Sequence, residues 1–251
     1  MTTLALITGG SRGLGKNTAL ALADSGTDII ITYHSNEAAA KEVVTQIQNK
    51  GRQAQALQLD TGDIAALDDF ISRLKALMSN DFGCKNVNYL VNNAGSGVHA
   101  MMAEASEEIL DDMLSVHVKG PFFLTQKMLP VMADGGRILN ISSGLTRFSL
   151  PGSGPYAMAK GAVEVMTRYM AKELGERGIR VNTLAPGAIE TDFRGGAVRD
   201  NKEMNAMIAS QTALGRVGLP DDIGGAITML LSSEAGWING QRIEASGGMM
   251  L

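Results

Sequence analysis

The sequence predicts a single doubly wound α/β domain, an open parallel sheet of about seven strands with helices on both faces. Three observations carry this. Short apolar runs alternate with longer stretches of helical spacing along the whole 251-residue chain. The first run breaks abruptly into a glycine-rich turn, Thr8-Gly9-Gly10-Ser11-Arg12-Gly13-Leu14-Gly15. The second run, residues 28–33, is apolar nearly throughout, as a strand covered on both faces should be.

In order, residues 4–7 read as a buried strand entering the glycine turn. Residues 16–24 are Ala/Leu-rich at helical spacing and stop at Ser25-Gly26. After the strand at 28–33 comes a helix over 36–49, which Gly51 is placed to end. A third strand covers 54–59, and Asp63 caps a helix to residue 78. Residues 89–91 form a fourth strand, which breaks at Asn92-Asn93-Ala94-Gly95. A long helix starts near Ser106, where Glu107 and Glu108 supply a capping signal. Gly135-Gly136 lead into a strand at 137–141 and the pair Ser142-Ser143. Then follow a helix from Pro155 to about residue 177, a strand at 179–184, and Ala185-Pro186-Gly187. A polar, Met-containing segment at 190–211, a helix at 221–231 and a strand at 241–244 complete the chain. No linker, low-complexity tract or repeat divides it, so residues 1–251 read as one dinucleotide-binding domain of Rossmann type, with a substrate loop at about 188–213.

Composition narrows the function. Hydrophobic residues at 45% and charged residues at 19% describe an ordinary soluble chain. A net charge of −4, without runs of Lys or Arg, argues against a nucleic-acid face. One cysteine, Cys84, excludes an internal disulfide framework, and three scattered histidines with one thiol give no zinc-type ligand cluster. Met1-Thr2-Thr3 lacks the basic start of a leader peptide, and runs such as Ile29-Ile30-Ile31 are far too short to span a bilayer. A cytoplasmic protein without membrane or metal is the expectation.

Three phosphate-binding readings compete at the glycine turn. The pattern G-x-G-x-x-G fails, because Thr18 stands where the third glycine belongs. Gly10 to Lys16 matches G-x-x-x-x-G-K, but Asn17 cannot supply the hydroxyl that a P-loop needs for Mg²⁺. T-G-x-x-x-G-x-G is met at every position.

Tyr156 and Lys160 are spaced i, i+4 and share one helix face, about 5–6 Å apart at Cβ. Pro155 suits the start of that helix, which puts the phenol in the first turn. A nearby cation and the positive end of the helix dipole both favour the phenolate, so the expectation is a lowered pKa and a ready proton donor.

Thr8-Gly9-x-x-x-Gly13-x-Gly15, Asn92-Asn93-Ala94-Gly95, Ser143 thirteen residues before Tyr156, and Tyr156-x-x-x-Lys160 occur in that order. Asn182-x-x-x-Pro186-Gly187 and the stretch from Gly240 to Gly248 extend the series. Over essentially its whole length the sequence resembles the short-chain dehydrogenase/reductases, in the plain, short branch that includes 3-oxoacyl-carrier-protein reductases and sugar or ketone reductases.

The resemblance implies a carbonyl reductase: Tyr156 as general acid, Ser143 polarising the substrate carbonyl, and Lys160 holding the nicotinamide ribose and lowering the Tyr156 pKa. It also implies cofactor contacts from Gly9, Ser11, Arg12, Gly13, Leu14 and Gly15 in the turn. Further contacts are expected from His34 and Ser35 after the second strand, Asp60 and Thr61 after the third, and Asn93, Ala94 and Gly95 after the fourth. Pro186, Gly187, Ile189 and Thr191 would lie near the nicotinamide amide. By resemblance alone the protein is a homo-oligomer, a tetramer or dimer. The alternatives are the NAD-dependent alcohol-oxidising direction and a dinucleotide-binding regulatory protein with little turnover.

An NAD-selective site usually ends its second strand in Asp or Glu. Here that strand ends Tyr33-His34-Ser35, and Arg12 in the turn can meet a 2′-phosphate as a planar cation. NADP(H) is therefore expected over NAD(H). Where the family commonly has an asparagine that holds a water behind the lysine, this chain has His117. Leu110, Met113, Leu114 and His117 recur at helical spacing, so His117 points inward. Imidazole can both donate and accept, so His117 could replace the asparagine in such a relay, although it is bulkier and titrates near neutral pH. Segment 190–211 and the loop 99–102 should cover the substrate, with Met side chains and Phe193 giving an adaptable apolar lining. Arg194 and Arg199 could meet an acidic substrate or water.

Overall fold

Seven strands, Leu4–Ile7 (β1), Asp28–Tyr33 (β2), Ala54–Gln58 (β3), Val87–Asn92 (β4), Met132–Ile141 (β5), Arg180–Pro186 (β6) and Arg242–Ala245 (β7), form one parallel sheet ordered β3-β2-β1-β4-β5-β6-β7. The computed structural model describes residues 3–251. Met1 and Thr2, part of the segment read for a leader, lie outside the described residues. Strand order reverses between β1 and β4, and the crevice beyond their carboxyl ends is where an open α/β sheet binds ligands.

The helices are Gly13–Asp24 (α1), Glu37–Asn49 (α2), Leu67–Asp81 (α3), Glu107–Leu114 (α4), Gly120–Met128 (α5), Gly154–Glu173 (α6), Ala197–Asp200 (α7), Lys202–Ser210 (α8) and Pro220–Leu231 (α9). Alternation along β1 divides its side chains between two cores. Leu4 and Leu6 join Phe70 and Leu74 of α3, Leu124 and Met128 of α5, and Ala171 of α6. Ala5 and Ile7 join Leu22 of α1, Val43 and Ile47 of α2, and Ile227 of α9 on the opposite face. Each such Leu, Ile or Phe contributes ~1.5–3 kcal/mol by burial, which is why the apolar runs set the architecture. Among the described residues no helix is long and apolar enough to cross a membrane.

Three elements differ from their sequence reading. The helix expected from Asp63 begins at Leu67, because the Asp63 carboxylate accepts from the backbone N–H of Ala65 and Ala66 and holds a separate turn. β5 starts five residues early, at Met132, across a register irregularity opposite Val87 and Tyr89. The long helix after Ser106 is interrupted by a π-helical turn, Ser115–Lys119, which carries His117. Such turns often occur at functional sites.

A buried polar chain ties the sheet centre together. Asn92 donates to Thr125 Oγ1 and Asn140 Oδ1, Asn140 donates to Thr167 Oγ1 at 2.8 Å, and Thr183 donates to the same hydroxyl at 2.7 Å. Asn92 therefore supports the sheet rather than the ligand crevice.

Candidate active site

The glycine turn is cross-braced from β4. Thr8 Oγ1 accepts from the backbone N–H of Asn93 and Ala94, at 3.0 and 2.9 Å. The Asn93 amide donates back to the carbonyls of Thr8 and Gly9. Gly9 and Gly13 have φ of +66° and +54°, which an L side chain adopts only with strain. A Cβ on Gly15 would overlap the Gly9 carbonyl and the Asn93 amide. Helix α1 starts without a side-chain cap and without an acid in its first turn, so its leading N–H groups remain available to a phosphate. Asn17 points away from the turn and donates to Asp221 of α9, which removes the P-loop reading.

The other expected cofactor residues divide between the strand ends and the core. His34 and Ser35 are exposed beyond β2, and His34 Nε2 lies 3.5 Å from Asp60 Oδ2. Asp60 also accepts from the Gly62 N–H, while Thr61 is buried with its carbonyl against Gly120. Ser11 is half-buried, and Leu14 turns down into the α1 core. Pro186 ends β6, Gly187 packs on Ser246, and Ile189 enters the core. Thr191 accepts from the Phe193 N–H. Arg12, expected to be free for a 2′-phosphate, is paired with Asp192 at 2.8 Å. That pair fastens the segment after β6 across the glycine turn.

The catalytic candidates converge beyond β5. Pro155 occupies the first turn of α6, and Tyr156 follows in that turn, 7% exposed. Ser143, two residues past the end of β5, accepts from the Leu145 N–H at 3.2 Å and stands beside the Tyr156 phenol, whose pKa it lowers. Lys160 is 5% exposed, donates to the Ile141 carbonyl at 2.8 Å, and lies 5.6 Å from the Tyr156 ring centroid. The His117 ring stands edge-on to Tyr156 at 5.2 Å and packs on the bare face of Gly95, where a Cβ would come within 2.5 Å.

Burial reverses two electrostatic expectations. The Tyr156 pKa is pushed up to about 12, desolvation outweighing the Arg194 cation and the Ser143 hydrogen bond. The lowering expected from Lys160 is not among the effects on the phenol, and burial pulls Lys160 itself down to about 7. His117 falls to about 3, through burial and then the nearby Lys160 charge, so it does not titrate near neutral pH. Its Nε2 lies 2.8 Å from the Ser96 carbonyl, which can only accept, so Nε2 carries the proton. Nδ1 is then a buried acceptor without a partner.

Phe193, read as apolar lining, and Arg194, read as meeting an acidic substrate or water, both close over the centre. The Phe193 ring is 5.8 Å and the Arg194 guanidinium 5.7 Å from the Tyr156 ring. Arg194 has φ +51°, a left-handed backbone that costs a non-glycine residue ~1–2 kcal/mol. Gly195 and Gly196 continue it at +71° and +79°, and this Gly-Gly pair was the available sequence signal. Loop 99–102 lies against the start of α6, with His99 on Gly152 and Met102 on Gly154.

The chain is similar to known reductases over nearly its whole length. Residues 9–250 match the family model described as Enoyl-(Acyl carrier protein) reductase. The chain is 36% identical to the 3-oxoacyl-[acyl-carrier-protein] reductase FabG of Staphylococcus aureus, covering 100% of this chain and 99% of that one. Among solved structures, the promiscuous reductase LugOII, which catalyses keto-reduction at C1 during lugdunomycin biosynthesis, superposes with a TM-score of 0.94 at 41% identity, over 99% of this chain and 98% of that one. The angucycline C-6 ketoreductase LanV, solved with bound NADP, gives a TM-score of 0.94 at 35% identity, over 99% and 95% of the two chains. With its sheet order, glycine turn and Ser143–Tyr156–Lys160 centre, the chain belongs to the short-chain dehydrogenase/reductase family of oxidoreductases.

Proposed function

We propose that this protein is an NADPH-dependent carbonyl reductase that converts a ketone to an alcohol. The observation that carries the reading is a buried phenol in the first turn of α6, with Ser143 beside it and Lys160 5.6 Å from its ring, at the strand ends that also hold the phosphate cradle. A phenol pushed up to about 12 keeps its proton at neutral pH and can deliver it to a developing alkoxide. Ser143 donates to the same oxygen and orients it. Lys160, drawn to about 7, can give up and regain a proton under working conditions and so resupply Tyr156. His117, its ring edge-on to Tyr156, keeps in Nδ1 a buried acceptor without a partner and suits the role of a positioning residue that does not itself change charge.

The nicotinamide dinucleotide, when bound, supplies the hydride. Gly9, Gly13, Gly15 and the start of α1 suit its pyrophosphate. Tyr33-His34-Ser35 offers no acid at the strand end for a ribose 2′-hydroxyl, and the exposed Arg12 guanidinium, although paired with Asp192, keeps donors for a 2′-phosphate. These features favour NADP(H), with NAD(H) as the alternative, and the relatives LanV and LugOII support ketone reduction. Segment 188–213 is the substrate loop. Exposed Met158, Val165 and Tyr169 on one side of α6 suit burial in a homo-oligomer, and the lone half-buried thiol of Cys84 suits a reducing cytoplasm.

The test is loss of NADPH absorbance with a panel of ketones. Wild type should turn over several, with higher kcat/KM for NADPH than NADH, and Tyr156→Phe should lower kcat at least a hundredfold. Tyr156→Phe turning over at the wild-type rate would sink the proton-donor assignment, and equal kcat/KM for both cofactors would sink the NADPH preference.

A further inference from the structure

Two cations flank the Tyr156 ring, and only Lys160 has a place in the proton chemistry above. Arg194 reaches the ring from the segment after β6. Its Nη2 donates to the Val98 carbonyl at 2.6 Å and its Nη1 to Ser153 Oγ at 3.3 Å. A guanidinium has five N–H donors, and the Nε–H is buried with no partner. Among the described residues no carboxylate pairs with Arg194, whereas Arg12, Arg147, Arg199 and Arg216 each hold one. A half-buried cation with unspent donors and no counter-charge is unfavourable unless an anion joins it.

The surrounding chain is shaped to keep it there. Arg194 is held in a left-handed backbone, followed by two glycines of the same hand. Opposite it stands Gly97, where any Cβ would overlap the Phe193 ring and come within 2.8 Å of Arg194 Nε. Phe193 and Tyr156 give the cleft an aromatic wall, and the guanidinium gives it a planar fork suited to two oxygens of one acid.

We propose that Arg194 is the specificity-determining residue of the site. It selects ketones that carry an ionised oxygen acid, a carboxylate or an acidic enol, and pairs that group with its guanidinium while the ketone carbonyl meets Tyr156 and Ser143. The proposal rests on the carbonyl-reductase reading for the place of the ketone, but the anion contact is measurable without turnover.

Two matched pairs of probes test it: benzoylpropionate against its methyl ester, and dimedone against 3,3-dimethylcyclohexanone. Each is titrated calorimetrically into NADP⁺-saturated protein, and kcat/KM with NADPH is measured for the benzoylpropionate pair, since the dimedone enolate has no free ketone to accept a hydride. Wild type should bind the acid member of at least one pair tenfold or more tightly than its neutral partner. Preference for benzoylpropionate identifies a carboxylate, and preference for dimedone identifies an enolate. Arg194→Gln should reduce the preference to twofold or less, and Arg194→Lys should restore part of it as a point charge. The effect should appear in KM more than in kcat.

Wild type that binds neutral and acidic members equally overturns the proposal without any variant. So does an Arg194→Gln protein, folded by circular dichroism, that keeps the wild-type preference. Absence of turnover with every ketone would instead defeat the reductase reading, while the binding preference would still decide the role of Arg194.

Discussion

Replacing Lys160 by methionine should make the protein more stable in mild acid and abolish its catalysis. Burial moves the Lys160 ammonium from 10.5 to about 7. Because the folded pKa lies below the unfolded one, the unfolded chain binds more protons between those values. Stability therefore rises with pH across that window and is lowest below it. At ~1.4 kcal/mol per pH unit, the distance from 10.5 to about 7 corresponds to about 5 kcal/mol of destabilisation at pH 6. Methionine keeps the length and removes the charge, but it strands the Ile141 carbonyl, which Lys160 donates to at 2.8 Å. Losing that donor costs about 1–3 kcal/mol. The variant should then be more stable than wild type by about 2–4 kcal/mol at pH 6, a Tm rise of roughly 5–10 °C for a chain of this size. By pH 10 most of the penalty is gone, and wild type should equal or exceed the variant. Thermal and urea unfolding of both proteins from pH 6 to 10 measures the difference. Parallel stability curves for the two, or a variant less stable at pH 6, would refute the assignment of Lys160 as a desolvated cation.

Gly15→Ala drives a Cβ into the Gly9 carbonyl and the Asn93 amide, neither of which can move without opening the turn. NADPH affinity, followed by fluorescence titration, should fall at least tenfold, about 1.4 kcal/mol or more, and an unchanged Kd would show that the cradle lies elsewhere. His117, with its pKa near 3, should stay neutral through the physiological range. Its ring-proton NMR shift should be flat from about pH 5 to 8, and a titration there would restore it as a candidate proton carrier.

What could be read from the sequence was local. Alternating apolar runs and helical spacing gave the doubly wound sheet, because burial on two faces imposes a pattern within each short window. Thr8 to Gly15 marked the cradle because tight turns need particular residues at fixed offsets, and Pro155 placed Tyr156 in the first turn of its helix for the same reason. The capping of α4 by Ser106 was legible too, and the structure shows its hydroxyl accepting from the Ile109 N–H.

What the sequence did not contain were quantities set by distant neighbours. Arg12 looked free until Asp192 folded against it, and nothing in the sequence placed Arg194 against Val98, 96 residues away along the chain. The proton affinities of Tyr156 and His117 departed from the expectations set by the i, i+4 spacing and by the usual imidazole value, and that of Lys160 fell with burial. Charge proximity can be inferred from spacing along one helix. Desolvation cannot, because it depends on everything that packs over the group, and at this centre it outweighs the nearby charges. The sequence by itself determined which groups meet at the strand ends; only the tertiary structure decided which of them hold their protons there.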